Sequence, residues 1–367
     1  MTAYDAHLGC IPPDYYVRAD FFPLEMKHIF EPSWLCVGFT EDVKSHHDFV
    51  TSQIGDRSIV VQNFQGKLKA FRNVCTHRYS RIQTQRFGNR PLQCPYHGWT
   101  FDSDGALSGI PMNRQCFQFE TSDREKLALQ SYEVDIVGHF IFVRMSQHGP
   151  SLREFLGNFY DDLSHVSNVC TDRFEVANFE WAANWKVGME NAAEGYHVPL
   201  VHTNTFAVIL PLELELSSDV EHSRYTGGLK EVSVKWWRNV QKAIKLEPSA
   251  RYPGYANFLI FPNIVVTYSY GAFLTFQTFD PLSTDTLRIN STAWLATNSG
   301  QAAREMVVES LKAFSEAVRN EDRDICAHVQ SGIRDSPGDR PSMLGGLEGR
   351  VAHFQRSYMA RMTVPPL

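Results

Sequence analysis

Two short segments decide the interpretation of this sequence, CTHR at residues 75–78 and CPYHGWTF at residues 94–101. Each segment joins one cysteine to one histidine, as Cys75-x-His77 and as Cys94-x-x-His97. Such short spacings allow one tight turn to direct two ligands at one metal centre, and the proline and glycine beside the second pair favour a turn. The four residues therefore predict a metal centre held by two similar loops.

Two kinds of centre use two cysteines and two histidines. A structural zinc site places all four side chains on one tetrahedral ion. A Rieske [2Fe–2S] cluster has two cysteines on one iron and two histidines on the other. Zinc fingers usually pair like with like, whereas each pair in this chain is mixed, which favours the binuclear cluster.

The composition is that of an ordinary globular protein. The 367 residues are 43% hydrophobic and 21% charged, with a net charge of -6 that argues weakly against nucleic acid as a partner. Seven cysteines are too few for a disulfide scaffold. No apolar run approaches the ~20 residues of a membrane helix, and MTAYDAHLGC at the start lacks a signal-peptide pattern. We expect a soluble cytoplasmic protein that binds neither nucleic acid nor membrane.

Hydrophobic patterning predicts an α+β protein in three parts. Residues 1–37 form an N-terminal helical segment that we expect to pack on the unit of residues 151–367. Residues 38–150 alternate in short strands and turns, which predicts an all-β unit. Residues 151–367 combine long alternating strands with a long amphipathic helix from Gln301 to about Ile333, which predicts an antiparallel sheet with helices.

A second group of candidate metal ligands lies in NWKVGMENAAEGYHVPLVH, residues 184–202. Glu194 and His197 are three residues apart and would share one face of a helix. His197 and His202 are five apart, so on a straight helix they would diverge by roughly 140°. Pro199 disfavours helix for Val198, and we expect it to bend the chain so that both imidazoles converge.

The third ligand is expected from the C-terminal helix. Its apolar stripe, continued at Ile325 and Val329, has Asp322 where an apolar residue should stand. A carboxylate on a buried stripe is unfavourable unless it is paired or binds a metal. A partner such as Arg319 or Arg323 is the alternative. The stripe before Asp322 comprises Val307, Leu311, Phe314 and Val318.

Two histidines and one aspartate with open positions are the facial triad of non-haem Fe(II) oxygenases. Glu321 is expected to point sideways as a charge at the rim. An electron-delivering cluster and an oxygen-activating iron need each other. The first group of ligands therefore supports the interpretation of His197, His202 and Asp322 as an iron site.

Taken together, the chain resembles the terminal oxygenase (α) subunit of the Rieske non-haem iron ring-hydroxylating oxygenases. The resemblance covers nearly the full length. Beside both metal motifs it includes PPDYY (12–16), FVTSQIGDRSIVV (49–61), FPN (261–263) and EDRDICAHVQSGI (321–333). It implies a Rieske domain followed by a helix-grip catalytic domain, in which an antiparallel sheet wraps a long helix. One departure is Tyr79, which stands where the family commonly has glycine.

The resemblance also implies the site residues. Cys75 and Cys94 would bind one cluster iron, and His77 and His97 the other. The mononuclear Fe(II) would be bound by His197, His202 and Asp322.

Glu194 matches the acidic residue that, in this family, links an iron-ligand histidine to a cluster-ligand histidine of the neighbouring subunit in a ring of three. The alternative for Glu194 is a helix surface residue paired with a lysine. The segment ENAAE, residues 190–194, looks more like the branch that acts on quaternary amines such as carnitine and glycine betaine than like the naphthalene-type enzymes.

The implied function is that of a terminal oxygenase. Electrons from NAD(P)H would arrive through a partner ferredoxin or flavin reductase, since no nucleotide-binding fingerprint is present. With O2 the chain would hydroxylate or demethylate a small organic substrate. The runner-up is cis-dihydroxylation of an aromatic ring. Two other classes stay open, a stand-alone Rieske electron carrier and a zinc-stabilised binding module without turnover.

We expect the substrate pocket between the sheet and the long helix. Candidate lining residues are Phe206, Ile209, Leu210, Trp236, Trp237, Phe258 and Tyr270. The segment at about 211–254 is either a lid or, at VKWWRNVQKAIK (234–245), an ordinary surface helix.

Overall fold

The computed structural model describes residues 8–212, 214–336 and 340–363. Two compact units divide the chain, one of residues 30–155 and one that joins the residues before 30 to those after 155. The sequence-based division at residues 37/38 and 150/151 stays a prediction.

Both units combine helices and strands. The helices are α1 (Asp14–Val17), α2 (Phe21–Glu25), α3 (Asn113–Cys116), α4 (Thr121–Glu125), α5 (Leu152–Leu156), α6 (Phe159–Val169), α7 (Trp185–Ala193), α8 (Val198–Val201), α9 (Phe206–Ile209), α10 (Glu231–Ile244), α11 (Gln301–Arg334) and α12 (Gly349–Met362). The strands are β1 (Leu35–Phe39), β2 (Asp48–Ile54), β3 (Arg57–Phe64), β4 (Lys67–Arg72), β5 (Phe87–Asn89), β6 (Thr100–Phe101), β7 (Leu107–Gly109), β8 (Ser131–Val137), β9 (Phe140–Arg144), β10 (Cys170–Trp181), β11 (Glu215–Asp219), β12 (His222–Gly227), β13 (Tyr255–Ile260), β14 (Ile264–Ser269), β15 (Phe273–Ser283) and β16 (Thr286–Ala296).

The first unit is built from an antiparallel sheet in the order β1-β9-β8-β4-β3-β2-β5, with β6 and β7 as a separate small hairpin. Tight turns join its central strands. Gln65 and Gly66, which connect β3 to β4, both have positive φ, as the type I′ turns of two-residue hairpins require. The prediction of a unit built on β-strands is confirmed by this sheet, and the short helices α3 and α4 and a 3-10 helix at Thr40–Asp42 are added to it.

Two loops of this unit carry the mixed pairs. Residues 73–86 follow β4 and hold the first pair, and residues 90–99 follow β5 and hold the second. Both cysteines belong to a buried apolar cluster with side chains such as Phe71 and Trp99, whereas both histidines are only half-buried. The loops therefore hold the cysteines on the core side and the histidines on the outer side.

The second unit has a fully antiparallel sheet in the order β10-β16-β15-β14-β13-β12-β11. The long helix α11 packs against α7, α10 and β10, which confirms the predicted sheet with a long helix. The predicted stripe is wrong at Val329, which is 45% exposed. Cys326 and Gln330, which lie four and eight residues after Asp322, are buried instead.

The segment between β12 and β13 is an ordered helix. In α10 the side chains of Trp237, Val240 and Ile244 are buried, while Glu231 and Val232 are exposed. The predicted helix at VKWWRNVQKAIK is thus present, and the lid stays an untested alternative. Among the described residues, no helix is long and apolar enough to cross a membrane.

Candidate metal centres and active site

The two cysteine loops share one backbone hydrogen-bond pattern. In the first, Tyr79 N donates to Cys75 O at 3.0 Å, and Cys75 N donates to Ser80 O at 2.8 Å. In the second, Gly98 N donates to Cys94 O at 3.0 Å, and Cys94 N donates to Trp99 O at 2.8 Å. Two similar loops thus present one cysteine and one histidine each, as the sequence predicted.

The residue four positions after each loop cysteine is in the left-handed conformation. Gly98 has φ of +71°, and Tyr79 has φ of +61° although it carries a side chain. A left-handed conformation costs an ordinary residue about 1–2 kcal/mol, because its Cβ approaches the following carbonyl oxygen. The loop therefore keeps its shape around Tyr79, at the expense of backbone strain.

Replacing Tyr79 by glycine is expected to stabilise the unit of residues 30–155. The Tyr79 side chain is 81% exposed, so its loss removes little packing. Tyr79→Ala is the matched control, because it removes the ring and keeps the strain. We expect the glycine variant to exceed the alanine variant by about 1 kcal/mol in free energy of unfolding, measured by thermal or denaturant melting. Equal free energies of unfolding for the two variants would show that the left-handed conformation at Tyr79 stores no strain.

The loops fit a cluster that uses histidine nitrogens. The Nδ1 atoms of His77 and His97 are buried and have no hydrogen-bond partner among the described residues. Their ring centroids lie 4.6 Å apart. Buried polar atoms are rarely left unpaired, and two unpaired nitrogens on neighbouring imidazole rings are suited to bind an iron.

The protonation of the loop side chains agrees with metal binding. Burial lowers the pKa of His77, with His97 and Arg78 adding to the effect, so this imidazole stays neutral as a ligand must. Burial raises the pKa of Cys75 to about 11, and the neighbouring Cys94 thiol adds to the increase. Without metal the Cys75 thiol is therefore protonated, and metal binding would release its proton.

The second candidate centre lies in the other unit. Three side chains, His197, His202 and Asp322, each offer one ligand atom, and these atoms all lie within 4.8 Å of one another. The Nε2 atoms of the two histidines lie 3.8 and 3.0 Å from Asp322 Oδ1. Asn191 Nδ2 donates to the same carboxylate oxygen at 2.8 Å. The structure thus brings together the three side chains that the sequence singled out.

A carboxylate stands behind each of these histidines. Glu194 Oε1 bonds to His197 Nδ1, and Glu321 Oε2 lies 2.7 Å from His202 Nδ1. Each bond leaves Nε2 directed at Asp322 and would set the tautomer that a metal needs. Burial alone would lower the pKa of His202, but Asp322 and Glu321 outweigh it, and the pKa is raised.

The expectation for Glu321 is therefore wrong. Its side chain is only 29% exposed and also accepts a hydrogen bond from Thr205 Oγ1 at 2.7 Å. The arginine alternatives for Asp322 are not realised, since Arg319 lies 3.8 Å from Glu175 and Arg323 pairs with Asp324 at 3.0 Å.

The predicted path of the chain between the histidines is also wrong. Helix α7 ends at Ala193, and Glu194 has extended φ and ψ, so the break lies before His197. Pro199 lies in the first turn of the short helix α8, where its missing N–H matters least. His197 and His202 flank this helix, with ring centroids 5.0 Å apart.

Glu194 is held by this break. Its carboxylate accepts from the backbone N–H groups of Tyr196 and His197, the second at 3.2 Å. The side chain is mostly buried and pairs with His197, so the lysine-paired surface alternative is not realised.

A buried network fixes the start of α7. Lys186 Nζ, fully buried, pairs with Glu25 Oε1. Trp185 Nε1 donates to Glu25 Oε2 at 2.9 Å, and Tyr358 OH donates to Oε1 at 2.7 Å. Because α7 carries Asn191 and leads directly into Glu194, this anchoring sets the position of the second centre.

The second centre opens onto a cavity of about 450 Å³ between the sheet and α11, as predicted. Its wall includes His197, His202 and Asp322. Five of the predicted lining residues belong to the wall, namely Phe206, Ile209, Leu210, Trp236 and Trp237.

Two predicted lining residues lie outside this wall. Phe258 is fully buried in the core, and Tyr270 stacks on Trp237 with ring centroids 5.6 Å apart. Sequence reasoning missed all the strand residues that line the cavity, such as Asn257 and Gln277, and missed Arg350.

Each of the two units matches a known protein family. The family model described as ring hydroxylating alpha subunit (catalytic domain) matches residues 161–364. The model described as Rieske [2Fe-2S] domain matches residues 33–133. The second match favours the [2Fe–2S] cluster over zinc at the cysteine loops.

Curated relatives include two oxygenase subunits. The carnitine monooxygenase oxygenase subunit of Acinetobacter baumannii is 28% identical over 255 residues, which are 68% of this chain and 66% of the relative. The glycine betaine monooxygenase oxygenase subunit of Chromohalobacter salexigens is 38% identical over 199 residues, 52% of this chain and 43% of the relative. The matches thus span less than two thirds of these relatives.

Solved structures share the fold along most of the chain. The quaternary ammonium Rieske monooxygenase CntA in complex with L-carnitine superposes with a TM-score of 0.79 at 20% identity, covering 98% of this chain and 96% of that one. Naphthalene 1,2-dioxygenase with bound indole gives 0.76 at 21% identity, covering 97% and 92%. The chain therefore belongs to the ring hydroxylating alpha subunit family, with a Rieske [2Fe-2S] domain ahead of its catalytic domain.

Proposed function

We propose that this chain is the terminal oxygenase component of a multicomponent Rieske oxygenase. It would use O2 and electrons from NAD(P)H, delivered by a partner reductase, to hydroxylate or oxidatively demethylate a small organic substrate. The observation that carries the proposal is the His197–His202–Asp322 group on the wall of a cavity large enough for such a molecule.

In this proposal Cys75, Cys94, His77 and His97 hold the [2Fe–2S] cluster, and the group on the cavity wall holds Fe(II) through two Nε2 atoms and one carboxylate. When bound, the two centres supply single-electron transfer and activation of O2. The protein residues bind and orient the substrate and keep the imidazoles in the required tautomer.

We base the proposed substrate class on the names of the relatives. Several of them are named for quaternary amines, namely carnitine and glycine betaine. Another, toluate 1,2-dioxygenase subunit alpha of Pseudomonas putida, is 34% identical over 198 residues, which keeps ring dihydroxylation as the second candidate. The aromatic wall around Phe206, which lies 5.6 Å from Phe314 between ring centroids, suits a methylated amine or a ring.

Partners belong to the proposal as well. We infer that a ferredoxin or flavin reductase supplies electrons and that the chain forms a homotrimer. Glu194, which holds His197 Nδ1 through one oxygen, would use its carboxylate to link this centre to a cluster histidine of the neighbouring subunit.

A single-turnover experiment tests the oxygenase function without a reductase. Protein loaded with both metals is reduced chemically and mixed with ¹⁸O2 and carnitine, glycine betaine or toluate. One labelled oxygen in the product, or release of formaldehyde, supports hydroxylation or demethylation, and two labelled oxygens support dihydroxylation. Absence of any oxidised product from all three compounds would contradict the proposal for these substrates.

Removing Glu321 is expected to weaken the mononuclear iron site. Glu321→Ala deletes the carboxylate that bonds to His202 Nδ1, and losses of such partners typically lower metal affinity about 10–100-fold. Fe(II) titration of apoprotein checks this, with labile sulfide as a measure of the intact cluster. Glu309→Ala is the control, since that exposed side chain of the same helix pairs only with Lys312 among the described ion pairs. Equal Fe(II) affinity in both variants would show that Glu321 does not support the iron site.

A further inference from the structure

Arg350, near the start of α12, belongs to the cavity wall and is fully buried. Its Nε donates to Ser223 Oγ at 3.1 Å, and Nη1 donates to Asn257 Oδ1 at 2.8 Å. The guanidinium lies over the ring of Tyr225, 4.6 Å from the centroid. Its Nη2 atom is buried and has no partner among the described residues.

The guanidinium also has no counter-charge among the described residues. Other deeply buried bases have one: Lys186 pairs with Glu25, and Arg144 with Glu133. For Arg350 no carboxylate of the described residues lies within ion-pair distance. Burial lowers its pKa to about 10, and the group therefore stays charged at neutral pH. A buried cation without a partner is unfavourable, because the loss of its hydration is not offset.

The position of Arg350 suits a molecule that also reaches the metal ligands. The Phe206 ring lies between the two groups, with its centroid 5.4 Å from that of His202 and 6.5 Å from that of Tyr255. Tyr255 is two residues before Asn257 on β13, and Asn257 accepts from Arg350. Tyr255 and Asn257 line the cavity together with Arg350 and Asp322. A small molecule held at Arg350 would therefore keep its other end near the second centre.

Arg319, another arginine of the wall, is less available. It lies 3.8 Å from Glu175 and stacks over Phe179, 4.3 Å from the ring centroid. Arg350 is thus the arginine of this wall that has no carboxylate partner among the described residues. An anionic group of a ligand would be that partner.

We propose that the substrate of this cavity carries a carboxylate, which Arg350 binds through a charge-assisted hydrogen bond from Nη2. This inference rests on the proposed function, because it takes the cavity as the substrate site. It narrows the substrate class to organic anions and zwitterions, which include amino acid betaines and aromatic acids. Neutral rings and simple cations fall outside that class.

The test is binding of matched probe pairs to metal-loaded, oxidised protein by calorimetry. Glycine betaine is compared with choline, and 4-methylbenzoate with 4-methylbenzamide, so that each pair differs mainly in the carboxylate. In at least one pair the acid should bind at least about 30-fold more tightly, as a hydrogen bond between charged groups implies. Equal binding within both pairs, tighter binding of the neutral or cationic members, or no binding of any probe would overturn the proposal.

Variants assign the effect to Arg350. Arg350→Met should abolish the preference, and Arg350→Lys should keep part of it, because the charge remains while the planar fork is lost. Arg361→Met is the control, since Arg361 lies on the same helix but pairs with Glu221. A preference that survives in Arg350→Met would overturn the proposal. If Arg350→Met does not fold, an unchanged preference in Arg350→Lys would overturn it instead.

The binding test is independent of turnover. A carboxylate preference that depends on Arg350, in a protein that oxidises none of the probes, would leave the anion site standing and refute the oxygenase function for these compounds. Turnover of choline or the amide at the rate of the acids would support the function and refute the anion site.

Discussion

Replacing Asp322 by alanine is expected to empty the mononuclear iron site and to reduce oxygenation to background, while the [2Fe–2S] cluster remains. Asp322 supplies the negative ligand of the group, and the Nε2 atoms of His197 and His202 converge on its Oδ1. Two neutral imidazoles alone neither balance the charge of Fe(II) nor complete the triad. Iron and labile sulfide per chain are measured together with single turnover.

The control for this prediction is Asp324→Ala. Asp324 lies two residues further along the same helix, is exposed, and pairs with Arg323. It should keep the iron content and the turnover of the wild type. An Asp322→Ala protein that retains its mononuclear iron and its activity would show that another residue is the third ligand.

Glu194→Gln is expected to lower steady-state turnover about 100-fold, at the upper end of typical losses for groups that orient a metal ligand. The glutamine keeps the size of the side chain and loses the charge that bonds to His197 Nδ1. Because the glutamine amide oxygen can still accept a hydrogen bond from His197 Nδ1, whereas Glu321→Ala removes the acceptor, iron and sulfide contents should stay near those of the wild type. This combination separates a positioning residue from a metal ligand.

Glu180→Gln is the matched control for Glu194→Gln, since Glu180 is exposed and pairs with Arg288 on the neighbouring strand. Its turnover should match the wild type. If Glu194→Gln loses iron in proportion to activity, Glu194 acts only by holding the iron site. If its turnover is unchanged, Glu194 plays no part in the reaction.

The sequence predicted the metal-ligand candidates because their patterns are local. Cys75 and His77, like Cys94 and His97, lie within one turn of chain, so spacing alone implies that they converge. Asp322 stood out because a carboxylate interrupts an apolar stripe. The alternation of strands and the length of α11 likewise follow from periodicity, and both were confirmed.

The sequence failed where contacts join distant elements. Glu321 looked like a rim charge because its own helix places it beside the buried face, yet His202, at the end of α8, reaches it. A signal did exist, since a histidine that binds metal needs a partner for its second nitrogen. Arg350 gave no such signal, because nothing in its neighbourhood on α12 reveals that Ser223 and Asn257 surround it.

The most direct test of the account is a metal and sulfide assay of protein purified from iron-replete cells, combined with optical and EPR spectra before and after reduction. We predict a red-brown protein with about three irons and about two labile sulfides per chain, and a Rieske-type signal on reduction. A colourless protein that contains zinc and no labile sulfide would contradict the account.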